Sequence, residues 1–318
     1  MNPPRRIERP VELAADEGVR LDVFIADRLG LFSRSQAKTR IVAMTVNGRP
    51  ARPARKLRVG DMVSVEWTDP PPSELVPENI PLCVRFENDD VVVIDKPQGM
   101  VVHPGSGNAS GTMVQALLFR YDGFANRFEE QGSRPGIVHR LDKETSGIII
   151  VARHAAAHEM LAAQFRDRGV RKRYLAIVQG VLPAREGRID NRIARDPHDR
   201  KRFTCVAAGG RTAVSRYRVL RSVVVGKSAY SLVLLAPRTG RTHQLRVHMK
   251  FLGTPILGDP VYGRHDPRFP DARLMLHARS LTIRLPGEGE PRTFVSPMPT
   301  RFLDVLQELQ NFSPSTGL

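Results

Sequence analysis

The stretch Pro135–Arg153, PGIVHRLDKETSGIIIVAR, sets His139, Arg140, Asp142, Lys143 and Glu144 between the apolar pair Ile137-Val138 and the apolar run from Ile148 to Ala152. Charged groups flanked by buried strands are costly unless they face a cleft, pair with one another, or both. The segment therefore reads either as a loop at the edge of a pocket or as a salt-bridged surface turn. Arg140 and Lys143 favour the anionic form of Asp142, which suits that carboxylate to nucleophilic work rather than to giving up a proton.

Two further segments bear on the choice. RTGRTHQLRVH, from Arg238 to His248, opens on a glycine turn and continues as a helix. Arg241 stands near that helix's start, where a planar guanidinium can fork onto a carboxylate. Arg171, Lys172, Arg173 and Tyr174 open a strand, a composition that suits a phosphate-lined groove in which a base can stack. Other motifs lead elsewhere. His154 and His158 stand four apart beside Glu159, but a third ligand and the HExxH order are missing, so no metal is expected. GSGNASGT (105–112) has no Lys after its last Gly, so no nucleotide cofactor is expected there. The basic run RDPHDRKRF (195–203) suits either a solvated hairpin tip or an RNA contact.

The elements that must position these groups are mostly strands. VVVID (91–95), IIIVA (148–152), YLAIV (174–178), VSRYRVL (214–220) and YSLVLLA (230–236) carry strand signals, and Arg273 to Leu285 adds another stretch. Helical patterns run over Ala155–Arg166, Gln244–Leu252 and Thr300–Leu309. Strands and helices do not alternate regularly enough for a doubly wound sheet, so an α+β domain on a large, mainly antiparallel sheet is expected. Nearer the N-terminus, Leu21, Phe24, Ile25 and Leu29 recur at helical spacing up to Gly30, and Ser33 can cap a second helix carrying Arg34, Lys38 and Arg40. TVNGRPA and VGDMVSVEW follow as small strands, and DPPPS from Asp69 is a stiff linker. The expected division is an N-terminal tail (1–17), a small module (18–68), a linker (69–79), a large domain (80–312) and a C-terminal tail (313–318).

The 318 residues are 41% hydrophobic, enough for a large core, and Lys plus Arg exceeds Asp plus Glu by 49 − 33 = 16. A cationic excess of that size, with a pI near 10.7, favours a polyanionic partner, because neutralising phosphates releases counterions. Cys83 and Cys205 are far apart and outside metal-ligand spacing, which points to a reduced, cytoplasmic protein. No apolar run approaches the roughly 20 residues a membrane span needs. MNPPRRIERPVEL has charge with no apolar core behind it, so no secretory signal is expected.

In order along the chain, GIVHRLDKETSGIIIVAR, RKRYLAIVQG, TGRTHQLRVHM and ILGDPVYG resemble the successive motifs of the RluA-type pseudouridine synthases, a likeness running from about Val91 to Arg284. VVIDKPQGMVVHPGSGNASGT is closest to the RluD-like branch, which modifies large-subunit (23S) ribosomal RNA. Through RLDVFIADRL, SRSQAK and TVNG, residues 18–68 resemble the RNA-binding module named after ribosomal protein S-four. The resemblance implies an enzyme that turns uridine into pseudouridine, breaking an N–C glycosidic bond and rejoining the uracil through carbon. No redox change occurs and no group is gained, so neither cofactor nor metal is required.

The same resemblance implies that Asp142 is essential, either attacking the ribose carbon or removing a ribose proton. It implies that Arg241 pairs with Asp142, that Tyr174 stacks on the uracil and takes the C5 proton, and that Arg140 replaces the extruded base in the stack. Further RNA contacts are expected from His139 (which also suits a local hydrogen-bonding role), Lys143, Arg171 and Arg173, and from Arg34 and Lys38 of the small module. The partner is then RNA, a large-subunit rRNA or its precursor, and not a membrane. The alternatives are a sister synthase acting on other rRNA or tRNA sites, and a non-catalytic RNA-binding ribosome-assembly factor.

Overall fold

A computed structural model of the chain describes residues 4–31, 40–68, 75–105, 107–131, 134–199 and 201–311, and the chain divides into two units, Met1–Glu74 and Leu75–Leu318. In the first unit β1 (Arg5–Pro10), β2 (Ile41–Val46), β3 (Arg49–Pro50) and β4 (Met62–Trp67) form an antiparallel sheet in the order β1-β4-β2-β3. Asn47 and Gly48, both at positive φ, make the tight turn between β2 and β3, as an Asn-Gly pair favours. The helical turn α1 (Leu21–Val23), continued by Phe24–Arg28, buries Leu21, Phe24 and Ile25 against Val63, Val65 and Trp67. Residues 5–10, expected as part of a tail, instead pair along the whole of β4. RRIERP has a single apolar residue, and backbone pairing leaves no hydrophobic pattern to read. The helix expected after Ser33, with Arg34 and Lys38, lies outside the described residues.

The second unit is built on one ten-stranded sheet. Its strands are β5 (Val84–Glu87), β6 (Val91–Lys96), β7 (Ser146–Ala152), β8 (Arg171–Gln179), β9 (Glu186–Arg195), β10 (Phe203–Val206), β11 (Arg211–Val225), β12 (Ser228–Pro237), β13 (Leu276–Ile283) and β14 (Arg292–Val295). They follow the order β10-β9-β11-β12-β8-β13-β7-β6-β5, with β14 on β13. Among the pairings of these described strands only the short β7–β13 contact is parallel, so the sheet is the mainly antiparallel one expected. β6 and β7 read as continuous apolar runs because both of their faces are covered. The helices are α2 (Met113–Arg120), α3 (Ala155–Arg166), α4 (Gln244–Phe251) and α5 (Thr300–Asn311). Met113 and Leu117 of α2 and Leu161 of α3 pack on β6 and β7. Leu245 and Met249 of α4 and Phe302 and Leu309 of α5 complete a second core with β8 and β12. Among the described residues no helix is long and apolar enough to cross a membrane.

Two glycines bring the HRLDKE segment against this frame. Gly136 has φ +69°, and a Cβ there would stand 2.3 Å from the Ala152 carbonyl oxygen. Gly147, at φ +112°, would put a Cβ 2.3 Å from the Ala278 carbonyl oxygen. Any other residue would force the loop off β7 and β13 and strain the backbone as well.

Buried histidines tie the sheet's pH behaviour to its packing. Burial pulls His139 down to about 3 and His248 and His277 to about 4. These folded-state values lie below the ordinary 6.5, so between about pH 6.5 and 4 the unfolded chain binds protons that the folded one refuses. Stability is expected to fall as pH drops through that window, by up to about 1.4 kcal/mol per pH unit for each histidine. Urea unfolding at several pH values would reveal it, and a stability flat from pH 7 to 5 would contradict it.

Candidate active site

The HRLDKE loop is fixed from three sides. His139 Nε2 accepts the Ile150 N–H at 3.1 Å and its ring stacks on Phe165 of α3, centroids 4.5 Å apart. Ile150 lies beyond the short β13 pairing, so the imidazole takes the place of a missing neighbour strand. From the other side Lys96, wholly buried, donates to the carbonyls of Pro97, Met100 and Lys143 at 2.9, 2.8 and 3.2 Å. Burial pulls its pKa down to about 7, opposed by Asp142 and Glu144; three carbonyl acceptors, one for each ammonium proton, favour the cation. Finally, Arg273 grips Glu144 at 2.7 Å, and the Gln98 amide donates to the Glu144 and Leu274 carbonyls at 3.0 Å each. Lys96→Met would strip the buried Met100 carbonyl and the part-buried Pro97 carbonyl of this donor, while the Lys143 carbonyl keeps the Gly99 N–H; unmade buried hydrogen bonds cost roughly 1–3 kcal/mol each. A loss on the order of 2 kcal/mol is expected in urea unfolding, and wild-type stability would refute the brace.

So held, Asp142 opens onto a cleft of about 530 Å³ whose opposite wall is the segment from Pro237 to Arg246. Gln244 folds that wall. Its side-chain oxygen accepts the Thr239 hydroxyl at 2.7 Å and the Arg241 N–H at 3.0 Å, while its amide donates to the Val214 carbonyl and the Ser215 hydroxyl. His243, in the left-handed region at φ 55°, starts α4, and its Nδ1 shares a hydrogen bond with the Tyr262 hydroxyl at 2.9 Å. Burial holds the His243 pKa below the usual range, with Asp142 opposing. Its Nε2 lies 4.0 Å from Asp142 Oδ2.

The guanidinium facing Asp142 belongs to Arg246. Its Nη1 stands 3.6 Å from Asp142 Oδ2, while Nε and Nη2 fork onto Asp259 at 2.8 and 2.7 Å. Asp259 has no exposed side-chain surface and also accepts the backbone N–H groups of Val261 and Tyr262. Burial disfavours both charges, but their hydrogen bonds and mutual attraction outweigh it, raising Arg246 and lowering Asp259. The pairing expected of Arg241 is thus corrected. Arg241 lines the cleft, but its Nε donates to the Thr212 carbonyl at 3.1 Å. It precedes α4 and lies outside the buried face from which Arg246 reaches Asp142. A sequence signal was available: Arg246 is a lone charge among Leu245, Val247 and Met249, and Asp259 a lone charge in ILGDPVYG. Charges in apolar surroundings must find each other.

Strand alternation sorts the RKRY segment. Lys172 and Tyr174 line the cleft, so their neighbours Arg171 and Arg173 point to the other face of the sheet, where Arg173 lines a separate groove. These two arginines do not face the cleft as expected, and Lys172 takes their place. Burial lowers the Lys172 pKa. Tyr174 is shifted upward by burial and by the Asp142 charge, so its ring is neutral in the resting cleft. Arg140, exposed, stands at the cleft's edge. Lys143 is exposed and reaches Asn108 Oδ1 at 3.3 Å instead of lining the cleft. His139 lines it but is committed to Ile150 and Phe165, so its part is to hold the loop. Arg34 and Lys38 lie outside the described residues. His154, with its zinc-like spacing to His158, caps α3 and meets Asp90 at 2.9 Å.

A carboxylate aligned by a buried arginine, beside a neutral aromatic ring and beneath a cationic rim, suits a nucleotide drawn out of its stack. Residues 90–251 match the model of a family described as RNA pseudouridylate synthase, and the chain belongs to that family. It is 40% identical over 310 residues, 95% of this chain and 92% of the relative, to the ribosomal large subunit pseudouridine synthase D of Borreliella burgdorferi. The protein of the same name from Neisseria meningitidis serogroup A is 38% identical, covering 95% of this chain and 80% of its own. Among solved structures, human RNA pseudouridylate synthase domain containing 1 aligns with a TM-score of 0.55 at 26% identity, over 77% of this chain and 99% of that one.

Proposed function

We propose that this protein isomerises specific uridines of large-subunit ribosomal RNA to pseudouridine, with Asp142 acting at the ribose of the extruded nucleotide. The observation that carries the reading is Asp142 at the cleft wall, 3.6 Å from the guanidinium of a buried arginine. In the reaction the bond from the ribose C1′ to uracil N1 breaks and one from C1′ to C5 forms. The proton on C5 leaves and N1 gains one, so atoms balance without a redox partner. Arg246 orients the carboxylate and keeps its charge directed into the cleft. Tyr174, neutral, offers a face on which the rotating uracil stacks. Arg140, at the rim, is placed to fill the gap left in the RNA stack.

The large-subunit synthase names of relatives that span nearly the whole chain support the rRNA substrate, as does the net charge of +16. The first unit, with its helical turn and small antiparallel sheet, serves as the tether of the S-four type. The enzyme works in the cytoplasm, where free Cys83 and Cys205 stay reduced. Pseudouridine mapping of all stable RNAs in cells with and without the protein tests the substrate. Loss of a small set of large-subunit sites is expected. Loss confined to tRNA would overturn the substrate, and no loss at all would overturn the activity.

A further inference from the structure

On the face of the sheet opposite Tyr174 lies a groove of about 580 Å³ whose lining includes Arg173, Arg188, Arg216 and Arg218, one carboxylate, Glu186, and Leu234 and Ala236. The register builds it as a row. Arg216 of β11 stands opposite Ala236 of β12 on one side and Arg188 of β9 on the other. Arg173 of β8 enters the same groove from beyond β12. Three strand spacings of about 4.8 Å make the row about 14 Å long, which spans several phosphates at roughly 3.4 Å of axis each.

The four arginines are exposed. Arg188 pairs with Asp190 and Arg218 approaches Glu186 at 4.0 Å, whereas Arg173 and Arg216 make no ion pair among the described residues. Guanidinium groups fork onto phosphate oxygens. The end of the sheet beside this groove is also cationic. Arg168 precedes β8 and Arg238 follows β12; both are exposed and both line the active cleft. They mark a basic path around the rim, from the face that holds Asp142 to the face that holds the row.

We propose that this rear groove binds the sugar-phosphate backbone of a substrate segment flanking the modified loop, so that the RNA engages both faces of the catalytic sheet. The proposal rests on the RNA-modifying reading above and adds to it a second, non-catalytic RNA site. It makes long RNAs bind more tightly, and with a steeper salt dependence, than the modified loop alone.

The test is Arg188→Gln/Arg216→Gln, compared with wild type on a short stem-loop carrying the target uridine and on the same loop with its natural flanks. For the long RNA, affinity is expected to fall about tenfold at low salt, and the slope of log Kd against log salt to drop by about 1.5, as loss of two phosphate contacts requires. For the short loop, affinity and turnover are expected to stay at wild-type values. Unchanged long-RNA affinity and slope would overturn the proposal. So would loss of polyglutamate binding with RNA binding intact, which would assign the groove to an acidic protein. If neither protein isomerises either RNA, the function reading fails, while the salt slopes still decide the groove. Should the double variant not fold, Arg216→Gln alone carries the test at half the slope change.

Discussion

Arg246→Met is expected to cost the protein both fold stability and turnover, whereas Arg241→Met should remain folded and active. Arg246 is 5% exposed and Asp259 0%, and breaking a buried pair from one side leaves an uncompensated charge worth about 3–5 kcal/mol. Asp142 loses its partner in the same step. Arg246→Lys separates the two consequences. A lysine keeps the positive charge near Asp259, but a point ammonium cannot fork onto one carboxylate and reach a second. That variant is expected to fold and yet to turn over on the order of 10²-fold more slowly, with RNA affinity nearly unchanged, since an interaction needed for the chemical step has been lost. Arg241→Met removes a guanidinium that hydrogen-bonds the Thr212 carbonyl and not Asp142, and its effect on RNA affinity should stay within about tenfold. Wild-type turnover by Arg246→Lys, or a dead Arg241→Met, would show that the wrong arginine has been given the carboxylate.

Asp142→Asn should divide binding from chemistry. The substitution is close to isosteric, and the Asp142 backbone carbonyl still accepts the Thr145 N–H at 3.0 Å, so the loop is expected to hold. Turnover should fall by a factor on the order of 10⁴ or more, as for the loss of a reacting group. RNA affinity should hold or rise slightly, because a negative charge leaves a cleft rimmed by Arg140, Arg166, Arg168 and Arg238. Parallel losses of binding and turnover would mean that Asp142 holds the loop or the RNA, and does not carry the reaction.

Hydrophobic period made the large sheet legible. The runs VVVID and IIIVA became β6 and β7, and the helix expected over Ala155–Arg166 has those bounds. What escaped were elements whose pattern is local or charged. MVQALLFR is short and has no polar face; its start was written in the Thr112–Gln115 capping box, where each side chain bonds the other's backbone. β9, EGRIDNRIAR, buries only Ile189 and Ile193 among charges, so its alternation is masked. HRLD could be picked out in the sequence because it interrupts apolar strands. Which arginine meets Asp142 could not, because that depends on which face of α4 the core covers. The choice between Lys172 and its arginine neighbours was readable from a period of two, once it was known that Tyr174 faces inward.

Tritium release from 5-tritiated uridine in unmodified large-subunit rRNA, measured for the wild-type protein and for Asp142→Asn, tests the role of Asp142 most directly. Release by the wild type and none by the variant is the predicted result. Release by both would remove Asp142 from the chemistry, and release by neither would contradict the assignment of uridine isomerisation on this RNA.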